Sequence, residues 1–360
     1  MRLLRLRVEN LRILEAVDLE LASGINLVGG ANGSGKTSLL EAVYLLAYGR
    51  SFRGGARTAL IRRGSQALLS FAEVGDETDG MRRRVGLRRT PDTVEAQIDG
   101  RAVGALTDLF FCVPFVCFEP DSGQLIQGGA ELRRRFVDWG LFHVERDFLA
   151  TWRRYQRALK QRNILLRQQA TDPAQYEVWE QQLATSGEQL SQWRRAYLQG
   201  LEPSARASAR MLLPEAGELT LRYRAGWAAD RSLRDALREG RERDLRQGHT
   251  SSGPHRADWE LGFAEIPGRD AYSRGQAKLA ALSLLLAQIR EFRSVRGQAP
   301  IVGLDDVAAE LDPAHQQAVL VELRDLDAQI LMTRTQTDGF APGPNDAVFH
   351  VEQGKVTRLL

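Results

Sequence analysis

The eight residues Gly30-Ala31-Asn32-Gly33-Ser34-Gly35-Lys36-Thr37 follow the apolar run Ile25 to Val28 and precede the apolar stripe Leu39, Leu40, Val43, Leu46 and Ala47. A strand, a glycine-rich turn and an amphipathic helix in that order make a phosphate cradle. Glycines let the backbone bend so that several N–H groups face one point, and the helix start adds partial positive charge. A lysine at this spacing reaches the β- and γ-phosphates of a nucleoside triphosphate. Thr37 then offers its hydroxyl to the accompanying Mg²⁺, and Ser38 completes the nucleotide-binding stretch. Lysine is otherwise scarce: Lys160, Lys278 and Lys355 are the only others, so Lys36 stands out against an arginine-rich background.

Far along the chain, Ile301-Val302-Gly303-Leu304-Asp305-Asp306 reads as a buried strand ending in two carboxylates. In a chain that already has the cradle, this is the place for a metal partner and a water-orienting base. Asp305 is assigned to the metal beside Thr37. Asp306, a water's width farther from the γ-phosphate, is assigned to the attacking water and shares the catalytic role with Lys36. Ser273-Arg274-Gly275-Gln276 opens another helix with a small hydroxyl and a glycine, again an anion site. One chain needs one triphosphate cradle, so this second start is expected to face the nucleotide held by another copy. Asp312, in Glu310-Leu311-Asp312, is expected at the same seam.

The elements that must position these residues change character along the chain. The first part reads as strands: Leu4 to Val8, Val17 to Leu21, Ile25 to Val28, Leu68 to Val74, Arg83 to Leu87, Val94 to Ile98 and Pro114 to Phe118, with Asp99-Gly100 as a hairpin turn. From Glu131 the period becomes helical. Leu132, Phe136, Leu141, Val144, Phe148, Trp152, Tyr155 and Leu159 predict one helix ending before Asp172-Pro173, which read as the N-cap and first position of the next. Tyr176, Trp179, Leu183, Leu190, Trp193 and Tyr197 give that helix a facing stripe, stopping at Gly200. The pair is expected to fold back as an antiparallel hairpin with the aromatics in its core. Strand patterning resumes at Leu219 to Tyr223 and Trp259 to Phe263, then a helix from Ser273, the strand Ile301 to Leu304, a helix after Pro313 and a last core strand Gln329 to Met332. The expected organisation is a head split in sequence, residues 1–125 and 251–360, with a helical arm, 126–250, inserted.

The 360 residues carry a formal charge of only +3, so a nucleic-acid surface must be a local patch. The candidates are Arg50, Arg53, Arg57, Arg62 and Arg63 after the first helix and Arg133, Arg134 and Arg135 at the foot of the arm. Contacts of this kind go to phosphates and predict steep salt dependence with little sequence preference. Cys112 and Cys117 lie in an apolar stretch with no second Cys/His pair and are expected to be buried thiols. The N-terminus alternates charged and apolar residues without a signal-peptide core, and the longest apolar run, Ala277 to Ile289, is interrupted and too short for a bilayer. A cytoplasmic setting without a membrane partner is expected.

Loop, distant carboxylates and helix-start serine, in this order, resemble the ABC-type ATPase head, in which two heads close around two ATP molecules. The expected fold is α/β: an ABC-type P-loop ATPase head with an inserted helical-hairpin arm. Asn10-Leu11-Arg12, Glu41-Ala42, Arg50-Ser51-Phe52-Arg53, Phe118-Glu119-Pro120-Asp121, Gly253-Pro254-His255-Arg256 and Asp305-Asp306-Val307 with Glu310-Leu311-Asp312 narrow this further. Over essentially the whole chain they resemble the RecF family of SMC-like ATPases. The resemblance implies ATP and Mg²⁺ as cofactors and an ATP-dependent homodimer on double-stranded DNA. It also implies action at single-strand gap junctions with RecR and RecO, help for RecA loading, and a phosphate contact from Arg12. The pattern departs at Ala257, where an acidic residue is expected, at Gly303 within the aliphatic run, and after Met332-Thr333, which no histidine follows. An ATPase subunit of a membrane ABC transporter shares the cradle and carboxylates and is the alternative. A small-molecule kinase has no use for the Ser273 helix start.

Overall fold

Strands β1 (Arg2–Leu11) and β2 (Leu14–Glu20) bury Leu6, Val8, Leu11, Val17 and Leu19 and turn Arg5 and Arg7 outward, the alternation of a sheet with one wet face. The computed structural model describes the chain apart from residues 54–56, 76–79, 171, 307–310 and 336–339 and the side chains of 57 and 58. It divides into two compact units, residues 1–122 with 289–360, and residues 123–288. In the first unit β3 (Ile25–Gly29) leads through the glycine loop into α1 (Lys36–Tyr48). β4 (Leu68–Gly75), β5 (Arg82–Arg89), β6 (Val94–Ile98) and β7 (Arg101–Ala102) then complete a six-stranded antiparallel sheet in the order β2-β1-β4-β5-β6-β7. The β6–β7 hairpin turns at Asp99 and Gly100, both at positive φ, as the Asp-Gly pair requires. α2 (Leu106–Cys112) and β8 (Phe115–Phe118) close this segment.

The second unit begins with α3 (Gln124–Gln127) and α4 (Ala130–Val144) and continues into α5 (Phe148–Arg167) and α6 (Pro173–Leu212). The single helix expected over this stretch is two, interrupted at Glu145, whose backbone is extended. Val144 and Phe148 are four residues apart, so the apolar period continues across the break and conceals it. Asp172 is the N-cap of α6, accepting from Ala174 N–H at 2.9 Å, with Pro173 at the first position. The expected stop at Gly200 does not occur. Leu201, Ala205, Ala209 and Leu212 continue the buried stripe, and α6 runs on through Gly200 and Pro203 for 40 residues. Packing outweighs one missing N–H. Tyr155 and Tyr197 are buried in the core of the unit, with Trp179 and Trp193 packed against it, and Tyr176 is buried as well. β9 (Leu219–Arg224), α7 (Leu233–Glu239), α8 (Arg241–Gln247) and β10 (Asp258–Phe263) follow, β9 and β10 pairing as a two-stranded antiparallel sheet. Residues 251–288, read from sequence as part of the head, thus pack within the helical unit. α9 (Arg274–Arg296) starts there, and its residues from Ile289 belong to the first unit.

The returning chain supplies β11 (Ile301–Leu304), α10 (Pro313–Asp325), β12 (Ile330–Arg334), β13 (Ala347–Glu352) and β14 (Lys355–Arg358). They join β3 and β8 in a second six-stranded sheet, β14-β13-β3-β12-β11-β8, parallel except for the β14 edge. β3 and β11 are wholly buried; β11 is a continuous apolar run, and β3 carries one polar residue, Asn26, whose side chain is satisfied by the Ala22 backbone. The sequence reading contains no counterpart of β13 or β14. Helix α1 packs against β1 and β4 of one sheet and β8 and β12 of the other. It is therefore buried nearly all round rather than amphipathic. Gly303 has a steric reason: a Cβ there would lie 2.4 Å from Phe115 Cζ and 3.1 Å from Cys117 Sγ. Cys112 and Cys117 are free thiols, each partly buried. No helix among the described residues is long and apolar enough to cross a membrane.

Candidate nucleotide-binding site

The loop after β3 is shaped by glycines at positive φ: Gly30 (150°), Gly33 (78°) and Gly35 (118°). At Gly30 a Cβ would stand 2.2 Å from Val351 O and 3.0 Å from Ser34 Oγ, so only glycine fits beneath β13. Gly354, in the turn between β13 and β14, donates to Ser34 O at 2.9 Å, which braces the loop from the C-terminal hairpin. The N–H groups of Gly33, Gly35, Lys36 and Thr37 donate to no acceptor among the described residues. All four residues line a cavity of about 270 Å³ together with Arg12, Asn32, Ser38, Arg53, Asp306 and Thr333. Free amides at a helix start are what a phosphate takes up. Lys36 Nζ donates to the Gly30 and Ala31 carbonyls at 2.8 and 2.9 Å, and burial lowers its pKa against the opposing pull of Asp306 and Asp305. The Ser34 hydroxyl is buried without a partner.

The carboxylates arrive from β11. Asp305 is 3% exposed, and its Oδ1 accepts from Thr37 Oγ1 at 3.0 Å and Thr333 Oγ1 at 2.8 Å. Burial raises its pKa while the two hydroxyl donors oppose the rise. Asp306 has φ 49°, its N–H donates to Thr333 Oγ1 at 2.8 Å, and its Oδ1 is buried with no hydrogen-bond partner. A non-glycine residue in that conformation, with an unsatisfied oxygen beside the cavity, carries backbone strain and an unmet hydrogen-bonding demand. Thr333, which the sequence reading passed over in looking for a histidine, hydrogen-bonds to both aspartates. Glu119 lies just past β8, whose Phe118 pairs with Leu304. Its carboxyl is pushed up to about 8 by burial and by Asp121 and Asp305, with Arg50 opposing.

Arg12 lines the cavity, but its guanidinium is engaged: Nε and Nη2 hold buried Glu41 at 3.0 and 2.8 Å, and Nη1 donates to Ala59 O at 2.9 Å. Ser51 also donates to Glu41, and Arg53 N–H donates to Ser51 Oγ at 3.0 Å. Arg53, expected as a DNA contact, is exposed and lines the same cavity as the loop. Arg50 and Arg63 are exposed, Arg62 pairs with Glu15 at 2.9 Å, and the Arg57 side chain lies outside the described residues. Arg133 is no surface cation. It is 2% exposed, bidentate to Asp258, and bonded to the Ile126 and Gly128 carbonyls. Arg134 is half-buried and donates to Ala257 O, while Arg135 is exposed and pairs with Glu131. Of the three expected at the foot of the arm, Arg133 is the one the structure takes off the surface, because helical spacing sends successive residues to different faces.

In the second unit Ser273 is exposed and caps α9: its N–H donates to Gln276 Oε1 at 3.0 Å, and Gln276 N–H donates to Ser273 Oγ at 3.2 Å. This reciprocal capping box leaves Arg274 and Gly275 exposed at the helix start. Asp312 is exposed and caps α10, accepting from Ala314 and His315 N–H at 2.9 and 3.0 Å; those contacts lower its pKa. Glu310 and Val307 lie outside the described residues.

The model of the RecF/RecN/SMC N-terminal domain matches residues 2–357. The chain is 48% identical to the DNA replication and repair protein RecF of Xanthomonas euvesicatoria, with 99% of each covered. The chain belongs to the RecF family. It is also 46% identical to RecF of Stenotrophomonas maltophilia over the full length of both. The solved structure of the recombination mediator protein RecF-ATP in the RecFOR pathway superposes with a TM-score of 0.89 at 25% identity, covering 99% of this chain and 97% of that one. An Smc head from Pyrococcus furiosus shares the fold at 15% identity and a TM-score of 0.60. These likenesses place this RecF-family chain among DNA replication and repair proteins on an ABC-type ATPase head, and they do not carry the transporter-subunit alternative.

Proposed function

We propose that this chain binds ATP with Mg²⁺ on the Gly30–Thr37 loop and uses the nucleotide as a switch that pairs two copies on double-stranded DNA. The observation that carries the reading is the meeting of Thr37 and Asp305 at 3.0 Å beside four unclaimed loop amides. A hydroxyl and a carboxylate are hard oxygen ligands, which suit Mg²⁺, and the metal would neutralise charge on the phosphates. Thr37 and Asp305 would hold it, Thr333 fixing the carboxylate. Lys36 would leave the loop carbonyls for the γ-phosphate. Asp306, with an oxygen lacking a partner, would orient the water. The exposed Ser273–Gly275 helix start would meet the γ-phosphate held by the other copy, so that loss of that phosphate dissolves the pair. Arg50, Arg62, Arg63 and Arg135 remain the candidates for duplex phosphates. The RecFOR context of the matched structure supports partnership with RecR and RecO, and hence a role at single-strand gaps ahead of RecA loading. The setting is cytoplasmic in this reading.

The test is sedimentation with Mg²⁺ and ATP, ADP or a slowly hydrolysed analogue. The parent is expected to dimerise with ATP alone or the analogue. Ser273→Ala should bind a fluorescent ATP normally yet stay monomeric; its lost cap costs only about 1 kcal/mol of helix stability. Unchanged dimerisation of that variant would overturn the two-sided grip. In parallel, gapped and intact duplexes should be retained with ATP and released with ADP.

A further inference from the structure

The chain has five asparagines, Asn10, Asn26, Asn32, Asn163 and Asn345. Four are restrained. Asn10 Oδ1 accepts from Ser65 Oγ at 3.0 Å, Asn26 is buried with its amide on the Ala22 backbone, and Asn163 Oδ1 accepts from Thr250 N–H at 2.8 Å. The residue after Asn345 is Asp346, whose N–H is engaged by Gly343 O at 3.1 Å. Each of these four is followed by a residue with a side chain: Leu11, Leu27, Ile164 and Asp346.

Asn32 differs on every count. It is exposed, and its side-chain amide makes no hydrogen bond among the described residues. Glycine follows it. Ser34 N–H donates to Ala31 O at 3.2 Å, so Asn32 and Gly33 form the middle of a tight turn, with Gly33 at φ 78°. The Gly33 N–H has no acceptor among the described residues, and a Cβ built on Gly33 would meet nothing within 4 Å. A free backbone nitrogen therefore stands next to an unrestrained side-chain amide, with no steric guard around it. Such proximity turns a slow bimolecular attack on an amide into an intramolecular one.

We propose that Asn32 is a self-modification site: in the nucleotide-free chain the Gly33 nitrogen cyclises onto the Asn32 side chain, and the loop acquires a carboxylate that shuts out ATP. The Gly33 nitrogen gives its proton to solvent and bonds to Asn32 Cγ. The Cγ–Nδ2 bond breaks, and the side-chain nitrogen takes up a proton and leaves as ammonia. Water then opens the cyclic imide at either carbonyl, giving aspartate or its isomer with the backbone routed through the side chain. Nothing is oxidised or reduced. The new carboxylate joins Asp306 on a cavity that has to receive a triphosphate, and the isomer adds a carbon to the backbone that aims the loop amides. A bound phosphate would take up the Gly33 N–H, which is the attacking group, so the loop ages while empty and is spared while loaded. That protection rests on the nucleotide reading above; the cyclisation does not.

The test follows the full chain through days of incubation at mildly alkaline pH, without nucleotide and with Mg²⁺ and a slowly hydrolysed ATP analogue. Peptide mass mapping reads amide-to-acid conversion at every asparagine, and enzymatic isoaspartate methylation reads the isomer. In the unliganded chain Asn32 should convert at least about tenfold faster than any other asparagine, and Gly33→Ala, which obstructs the attack, should slow it by about tenfold. The analogue should suppress conversion to the extent that a parallel titration shows the loop filled. The converted fraction should match the fraction that no longer binds a fluorescent ATP, and Asn32→Asp should bind it at least about tenfold more weakly than the parent. Conversion of Asn32 no faster than of the others, or an unchanged rate in Gly33→Ala, would overturn the proposal. So would undiminished conversion in a filled loop, or full ATP binding by the converted protein. Should the titration show no binding of the analogue, the nucleotide reading fails, while the unliganded rates still decide the cyclisation.

Discussion

Gly30 and Gly33 lie three residues apart in the same loop, both at positive φ, yet they are constrained differently. A Cβ on Gly30 collides with Val351 O at 2.2 Å, whereas one on Gly33 meets nothing within 4 Å. Gly33→Ala should therefore cost only the backbone term, about 1–2 kcal/mol, and leave the cradle standing. Gly30→Ala must push the loop off β13 and should cost on the order of 3 kcal/mol or more with loss of ATP binding. Urea midpoints and titration with a fluorescent ATP measure both. Equal penalties would mean that the hairpin does not brace the loop. The same contrast marks what the sequence could yield at this scale. The loop's chemistry sits in eight consecutive residues and could be read directly. Thr333, Val351 and Gly354 reach it only through strand pairing of β3 with β12 and β13, and nothing local marks them.

Among the elements, the turn at 253–256 carries a titration. Burial holds His255 at about 4, below its ordinary 6.5, in the neutral form whose two nitrogens are both satisfied. Between those values the unfolded chain binds a proton that the folded chain refuses, so this residue's contribution is intact above pH 6.5 and is lost as pH falls toward 4. His255→Gln should remove that loss. Comparing urea stability of parent and variant from pH 7 to 4.5, the parent should decline more steeply, by on the order of 1–3 kcal/mol across the window. Parallel curves would show that the ring titrates normally. Periodicity located nearly every strand of the antiparallel sheet and the N-cap at Asp172, because alternation and capping are local. It failed where packing overrode a local cue. The buried run Leu201, Ala205 and Leu212 carried α6 past Gly200, and the four-residue step from Val144 to Phe148 hid a break. The anion-site reading of Ser273 rested on residue types that also form a capping box, and the structure has that box with the helix start still exposed.

For the whole molecule, connectivity dictates an order of assembly. Residues 123–288 are one continuous segment with its own core, built from neighbouring helices and the β9–β10 pair. The first unit is assembled from both ends of the chain. β3 pairs on one side with β12 and on the other with β13, Leu27 standing between Met332 and Val348, while β8 finds its partner in β11. Until residues 289–360 arrive, β3 and β8 have no neighbours in their sheet, and the cradle between β3 and α1 has no brace. Closing loops of this length before any contact rewards them is slow. Pulse-labelled hydrogen exchange during refolding should therefore find amides of α5 and α6 protected before those of β3, β11 and β12, with ATP binding regained only in the later phase. Simultaneous protection would show the two units to be one cooperative body. If β3 gained protection first, the mixed sheet would have to nucleate independently of the inserted segment, and the division at residues 122 and 288 would not describe how this chain folds.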